Sequence, residues 1–198
     1  IAKNGRNVTT IEHCMAALAG MEVDNVLIEI DGYEAPIFDG SSKPYVDKLM
    51  EAGIAEQEKA KNYFELKENI ILKDKENNIE MIAMPNDHFE VSTMIDYNSS
   101  VLRPQYAHMR NIEEFKEEFS SSKTFVFLHE LETLIQNGLI KGGDLDNAIV
   151  FVDKLIGQEE LDRLSSFFHK PRVEVKDQGI LNNIDLKYEN EPARHKLL

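Results

Sequence analysis

Two dipeptides, Glu12-His13 near the start of the chain and His195-Lys196 at its end, combine residue types that could do chemistry together. A zinc hydrolase needs neutral imidazoles or carboxylates as ligands and an open coordination position for water. It also needs a nearby carboxylate, itself not a ligand, to take the proton. Glu12 beside His13 would supply base and ligand together, and His195 a second ligand. A catalytic zinc takes three protein ligands plus water. Position 199, four residues after His195, would share its helix face, and a ligand there could complete a site. A plainer reading competes. Glu12 is also the reciprocal member of a capping box opened by Thr9, and a His in a first helical turn is ordinarily a surface residue. A Glu-His pair with no second His in register is a weak motif by itself. His88, His108, His129 and His169 fall in turns or on polar faces and read as surface.

Thr124, at the start of a β-branched and aromatic run, could present its hydroxyl to a developing oxyanion, although Thr in a strand is ordinarily β-branched filler. Gly142-Gly143 lacks the spacing of a phosphate loop and reads as a turn. The stripe Leu128, Leu131, Leu134 and Ile135 reads as core, or as the lining of an apolar passage if this segment stands off the main body.

The elements that must position these residues are legible in outline. The stretch Ile11 to Ala19 is helix-forming, with Gly20 as its stop, and Asn25 to Ile30 reads as a strand ended by Asp31-Gly32. Ser42 can cap a helix through about Ala52, stopped by Gly53. Residues 54 to 62 are polar without a buried face and mark the domain boundary. Beyond it, Tyr63 to Lys73, Ile79 to Met84 and Phe89 to Tyr97 read as an antiparallel meander, and a helix capped by Asn111 packs on it through Ile112, Phe115 and Phe119. A strand, helix, strand insertion follows over about 124–152, with its helix at about His129 to Asn137, stopped by Gly138. Then come an amphipathic stretch at 158–168, short strands around Gly179, and a last helix capped by Asn190. No internal repeat is evident. The expected organisation is α+β: residues 1–54 as the C-terminal part of a first domain, 55–62 as linker, and 63–198 as a second domain.

The formal charge of −14, from 22 Lys and Arg against 36 Asp and Glu, repels phosphate backbones and anionic headgroups. Non-specific binding to nucleic acid or to a membrane surface is not expected, and an anionic ligand would need a local site. No apolar run reaches the length of a membrane helix, no secretory signal pattern opens the chain, and the single Cys14 cannot form an internal disulfide. These features fit a cytoplasmic setting. The chain opens on Ile1 and stops within a helical pattern, which reads as a piece of a longer protein.

Longer motifs carry a resemblance. Thr9-Thr10-Ile11-Glu12-His13-Cys14-Met15-Ala16-Ala17-Leu18-Ala19-Gly20, Asp24-Asn25 and Glu34-Ala35-Pro36-Ile37-Phe38-Asp39-Gly40-Ser41-Ser42-Lys43-Pro44-Tyr45-Val46 resemble the UDP-3-O-acyl-N-acetylglucosamine deacetylases. These are the zinc amidases of lipid A synthesis. The match continues through Asp96-Tyr97-Asn98, Lys123-Thr124-Phe125, Asn137 to Gly143, Asp146 to Val150 and Arg194-His195-Lys196-Leu197-Leu198, so it runs nearly end to end.

The resemblance implies two α/β-sandwich domains of similar topology packed against each other, the first incomplete here, with the acyl passage in the insertion of the second. It implies hydrolysis of the N-acetyl group of UDP-3-O-(3-hydroxyacyl)-N-acetylglucosamine, the committed step of lipid A biosynthesis. Zn2+ would be held by His13, His195 and an aspartate at position 199. Glu12 would be the general base, Thr124 the oxyanion donor, and Lys196 the lysine beside the second ligand. Phe125, Phe127, Leu131, Ile140, Gly143, Leu145 and Ala148 fall where family members line the substrate and acyl passage. The family's third ligand and C-terminal histidine would lie beyond Leu198, so the 198-residue piece alone is expected to be inactive. The long segment Asp153 to Glu189 resembles forms fused to a 3-hydroxyacyl-carrier-protein dehydratase. The competing expectation is a non-catalytic α+β binding or scaffold module with a decayed metal site.

Overall fold

The computed structural model describes residues 1–131, 145–154, 156–170, 172–176 and 179–198. Within them the fold is α+β, built from short helices and two-stranded ribbons. Strands β1 (Ala2–Lys3) and β2 (Arg6–Asn7) form a small antiparallel hairpin that leads into helix α1 (Glu12–Gly20). Helix α2 spans Lys43–Ala52, and α1 and α2 pack together. Strands β3 (Ile70–Asp74) and β4 (Ile79–Ala83) pair antiparallel, as do β5 (Val91–Ile95) and β6 (Gln105–Met109). A 3₁₀ turn at Ile112–Glu114 runs into a π turn at Phe115–Phe119. Strands β7 (Phe125–Phe127) and β8 (Ile149–Phe151) pair parallel, and helices α3 (Gln158–Phe167) and α4 (Glu191–Leu197) complete the order.

Two apolar clusters hold these pieces. The larger joins Ala16, Ala17 and Val46 of the first helix pair to Ile95, Ala107 and Met109 of β5–β6, to Phe115 and Phe119, and to Ala193 of α4. The smaller gathers Leu128, Leu131, Leu145, Val150, Leu161, Leu164, Val173 and Leu181. The alternation of β5 and β6 explains their docking: Ile95, Ala107 and Met109 turn inward under α4, while Ser92, Met94 and Tyr106 face out. The parallel pairing of β7 and β8 requires a crossover, because parallel neighbours cannot be joined by a tight turn. That crossover starts as a helical turn at Leu128, as the strand, helix, strand reading demands. The expected helix to Asn137, its Gly138 stop, the Gly142-Gly143 turn, Leu134 and Ile135 lie outside the described residues.

Several sequence readings give way to tertiary context. The capping box at Thr9 does not form: Thr9 Oγ1 donates to the Tyr33 carbonyl and Thr10 Oγ1 to Glu34, both across the chain, and Ile11 stands at the N-cap with no side-chain cap. Gly20 is not the left-handed stop of α1, since Glu22 takes that conformation at φ 54°. Gly20 is needed for another reason: a Cβ there would lie 2.0 Å from the Phe115 ring. The Ser42 hydroxyl caps nothing, and Ser41 Oγ accepts from the Lys43 amide instead, while Gly53 does end α2 at φ 79°. Asn111 caps as expected by accepting from the Glu114 amide. Asn190 does not; its amide donates to the Tyr106 carbonyl and its oxygen accepts from Arg194 Nε.

Residues Asn25 to Ile30 carry a strand-like sequence but form no strand, because a strand needs a hydrogen-bonded neighbour and none among the described residues pairs with it. The three-stranded meander is likewise two separate hairpins. The partner of β5 is β6, not β4, because only β6 offers the alternating face that shares the core. Around Gly179 the expected strands reduce to isolated bridges, Phe151 with Ile180 and Val175 with Leu181. No helix among the described residues is long and apolar enough to cross a membrane.

Candidate active site

The first turn of α1 places His13 inside the molecule, 1% exposed, with neither ring nitrogen hydrogen-bonded among the described residues. A buried imidazole without a partner costs about 1–3 kcal/mol, so a fold that keeps one has a use for it. What it faces is His195. The two ring centroids are 5.3 Å apart at an interplanar angle of 67°. His195 is brought there by α4, which lies on β5–β6 with Glu191, Pro192, Ala193 and His195 on its buried side.

The tautomer of His195 follows from the hydrogen bond its ring makes. Nδ1 lies 3.1 Å from the Ser122 carbonyl, and a carbonyl oxygen can only accept, so Nδ1 carries the proton. Nε2 is left with its lone pair. This arrangement, one ring nitrogen tied to a backbone carbonyl and the other presented as a base, is the one metal-ligating histidines adopt. Burial depresses both imidazoles. His13 falls below its ordinary value, against the opposing pull of Glu12 and Asp39. His195 is pushed down to about 4 by burial, with the charge of Lys196 and the neighbouring His13 adding to it and the Ser122 bond opposing. Both rings are therefore neutral near pH 7, the form in which they can hold a metal ion. The donor chemistry fits a borderline-soft divalent cation such as zinc. Among the described residues no group of three or more His, Cys, Asp or Glu side chains converges in this way, so the histidine pair is the part of such a set that they supply.

Around the pair, Glu12 is exposed beside His13 and has no ion pair or side-chain hydrogen bond among the described residues. The exposed Lys196 lies with Nζ 5.6 Å from the centroid of the Phe125 ring, a cation–π distance. Thr124 is fixed by its backbone: its N–H donates to the Gly40 carbonyl at 2.7 Å and its C=O accepts from Ile149 at 2.8 Å. Gly40 is obligatory there, with φ 80° and a position where a Cβ would lie 1.8 Å from the Asn147 carbonyl oxygen. The adjoining Asp39 is half-buried. Burial alone would raise its carboxyl, but hydrogen bonds from Ser41 and the ammonium of Lys123 outweigh it and hold the group below the usual carboxylate value. Lys123 Nζ also donates to the Asp39 and Asp146 carbonyls, which staples this loop to the start of β7.

A family model described as LpxC: UDP-3-O-acyl N-acetylglycosamine deacetylase matches residues 1–170. The chain belongs to the LpxC family. Among its relatives is the Bifunctional enzyme LpxC/FabZ of Porphyromonas gingivalis, 44% identical over 199 residues that cover 100% of this chain and 43% of that protein. The protein of the same name from Chlorobaculum tepidum is 43% identical over 194 residues, 96% of this chain and 42% of its own length. The UDP-3-O-acyl-N-acetylglucosamine deacetylase of Syntrophotalea carbinolica is 38% identical over 199 residues, 100% of this chain and 56% of that protein. The chain thus spans about half the length of these relatives.

Set beside the LpxC resemblance, the expected lining residues divide. Phe125 sits in an aromatic group with Tyr97, Phe127 and Phe151, with edge-on contacts from Tyr97 to Phe125 and Phe127 at 5.6 and 5.7 Å. Leu131 and Leu145 belong to the smaller apolar cluster, Leu145 fully buried. Ala148 is half-buried and its carbonyl accepts from the Asn183 amide. Ile140 and Gly143 lie outside the described residues. The other histidines, His88, His129 and His169, are exposed, and His108 is half-buried in β6. Sequence reasoning passed over Glu191, which is fully buried. Its Oε1 accepts from the Lys123 amide at 2.9 Å and its Oε2 from the Lys187 amide at 2.6 Å. Nothing local marks it, because a Glu at the first position of a helix is ordinarily solvated.

Proposed function

We propose that this chain carries the zinc-binding catalytic half-site of a deacetylase that hydrolyses the N-acetyl group of UDP-3-O-(3-hydroxyacyl)-N-acetylglucosamine, the committed step of lipid A biosynthesis. The observation that carries the reading is His13: buried, neutral, with neither ring nitrogen hydrogen-bonded among the described residues, and edge to face with a second neutral histidine. Membership of the LpxC family and the names of its relatives support the substrate class.

His13 and His195 would hold Zn2+, with the third ligand proposed at position 199. When bound, the ion acts as a Lewis acid that polarises the amide carbonyl and makes a water acidic enough to ionise near neutral pH. The protein's own groups do the rest. The carboxylate of Glu12, next to a ligand yet not engaged elsewhere among the described residues, accepts the proton of the attacking water as the C–O bond forms. The Thr124 hydroxyl would donate to the oxygen of the acetamide as it gains charge, from a backbone anchored to Gly40 and Ile149. Collapse breaks the C–N bond as the proton held by Glu12 passes to the leaving nitrogen, and the carboxylic acid formed gives its own proton to the free amine, so the products are acetate and a protonated amine. The chain's charge of −14 opposes an anionic nucleotide sugar, so Lys196, fixed over Phe125, is assigned to meet substrate charge locally. Phe125, Phe127, Leu131, Ile140, Gly143, Leu145 and Ala148 are proposed as the apolar lining for the acyl chain. Relatives named LpxC/FabZ support a second proposal, that the natural protein joins this deacetylase to a 3-hydroxyacyl-carrier-protein dehydratase. A cytoplasmic location is proposed with it.

The test is acetate release from the UDP-sugar by the full-length natural protein, before and after chelation and after re-addition of zinc. Release that stops on chelation and returns with zinc supports the proposal. A metal-loaded protein that binds the nucleotide sugar but releases no acetate favours a non-catalytic binding module.

A further inference from the structure

Glu191 and His195 are four residues apart, one helical turn, and therefore share a face of α4. They grip the two sides of a single peptide group. His195 Nδ1 donates to the carbonyl of Ser122, and the amide of Lys123, the other half of that same peptide unit, donates to Glu191 Oε1 at 2.9 Å. The second oxygen of Glu191 accepts from the Lys187 amide at 2.6 Å, in the segment that leads into α4. The carboxylate is 0% exposed, and these two N–H donors are what compensates its removal from water. The next residue after the gripped peptide is Thr124.

We infer that Glu191 is a positioning residue: by clamping the 122–123 peptide against α4 it fixes the ring tautomer of His195 and the placement of Thr124. The consequence for metal binding rests on the reading of His13 and His195 as ligands; the clamp itself does not. Without the carboxylate, the Lys123 amide loses its acceptor and the peptide can rotate. The Ser122 carbonyl then no longer selects the Nδ1-protonated ring. Glu191 touches no reacting atom, so its effect is transmitted through the peptide to the ligand.

The experiment uses the metal-free, full-length natural protein labelled with nitrogen-15. Long-range proton–nitrogen correlation is expected to show His195 as the pure Nδ1–H tautomer, with slow exchange of the Lys123 amide. Glu191→Gln keeps the shape but turns an NH2 toward one of the two backbone donors. It is expected to give a mixture of His195 tautomers, faster Lys123 exchange and zinc affinity weaker by about tenfold, the scale of lost outer-shell support. Leu164→Ala, in the other apolar cluster, destabilises without touching the clamp and must leave tautomer and zinc affinity unchanged. A folded Glu191→Gln protein with the wild-type tautomer and zinc affinity overturns the inference. If that variant does not fold, Glu191→Asp, which retains the charge but reaches only one donor, is expected to show the same changes in smaller measure. In the unsubstituted protein, a Lys123 amide exchanging like an exposed loop, or an Nε2–H tautomer of His195, overturns it outright. If the unsubstituted protein takes up no zinc, the metal reading falls, and the tautomer comparison still decides the role of Glu191.

Discussion

His13 and His195 come from opposite ends of the sequence and meet edge to face in the interior, ring centroids 5.3 Å apart. One is anchored by a backbone carbonyl, and the ring nitrogens of the other have no hydrogen-bond partner among the described residues. A stability-driven core would not retain the second ring. An apolar side chain of similar volume would avoid its desolvation cost, so the pair implies a function that uses the lone pairs.

That argument predicts a trade of stability against binding. His13→Leu removes a buried polar group without a partner and should raise the stability of the metal-free protein by about 1 kcal/mol. It should also abolish the rise in Tm that zinc gives the unsubstituted protein. Thermal unfolding with and without zinc checks both, and a destabilised variant that still responds to zinc would show that His13 serves the fold.

Thr124→Val conserves shape and removes the hydroxyl. Because the hydrogen bonds that hold Thr124 run through its backbone, the variant should unfold at the same temperature. Its kcat should fall about 100-fold, the scale of one lost oxyanion donor, with KM little changed. Steady-state acetate release with the UDP-sugar measures this, and an unchanged kcat would return Thr124 to the role of strand filler.

Gly40→Ala should be among the most damaging single changes. It combines a left-handed backbone with a Cβ 1.8 Å from the Asn147 carbonyl, in a loop whose Gly40 carbonyl also accepts from the Thr124 amide. A loss of about 3 kcal/mol is expected in urea unfolding. Gly5→Ala, where the added Cβ meets nothing within 4 Å, should lose clearly less despite its similar φ of 75°.

The capping of α1 shows how far the sequence could be read. Helices α1, α2, α3 and α4, the β7–β8 crossover and the histidine pair follow from local pattern, spacing and family resemblance. Thr9, Thr10 and Asn190 do not follow, because each found a distant partner that local propensity cannot foresee. Strand β6 was missed since Gln105–Met109 is poor in β-branched residues and becomes a strand by pairing with β5 under α4. Residues 25–30 erred the other way, a β-branched run that pairs with nothing among the described residues. Glu191 was invisible for a related reason: its chemistry is defined by two amides that approach it only in the folded chain.

Acid should weaken the Asp39 loop in a defined direction. The carboxyl is held below its ordinary value in the folded state, so the unfolded chain binds its proton first as pH falls. The stabilisation is complete above the unfolded value near 3.8 and is lost as pH drops through the lower, folded one. Asp39→Asn should flatten the stability profile below about pH 4 relative to the unsubstituted protein. Parallel slopes for the two proteins in that range would remove Asp39 from the account.

The most direct measurement is zinc content and acetate release on the same samples of the full-length natural protein and its Glu12→Ala variant. The account predicts one tightly held zinc in both, an unchanged fold, and turnover lower by about 100-fold or more in the variant, the usual weight of a general base. Turnover near the unsubstituted rate in a zinc-loaded Glu12→Ala protein would contradict it.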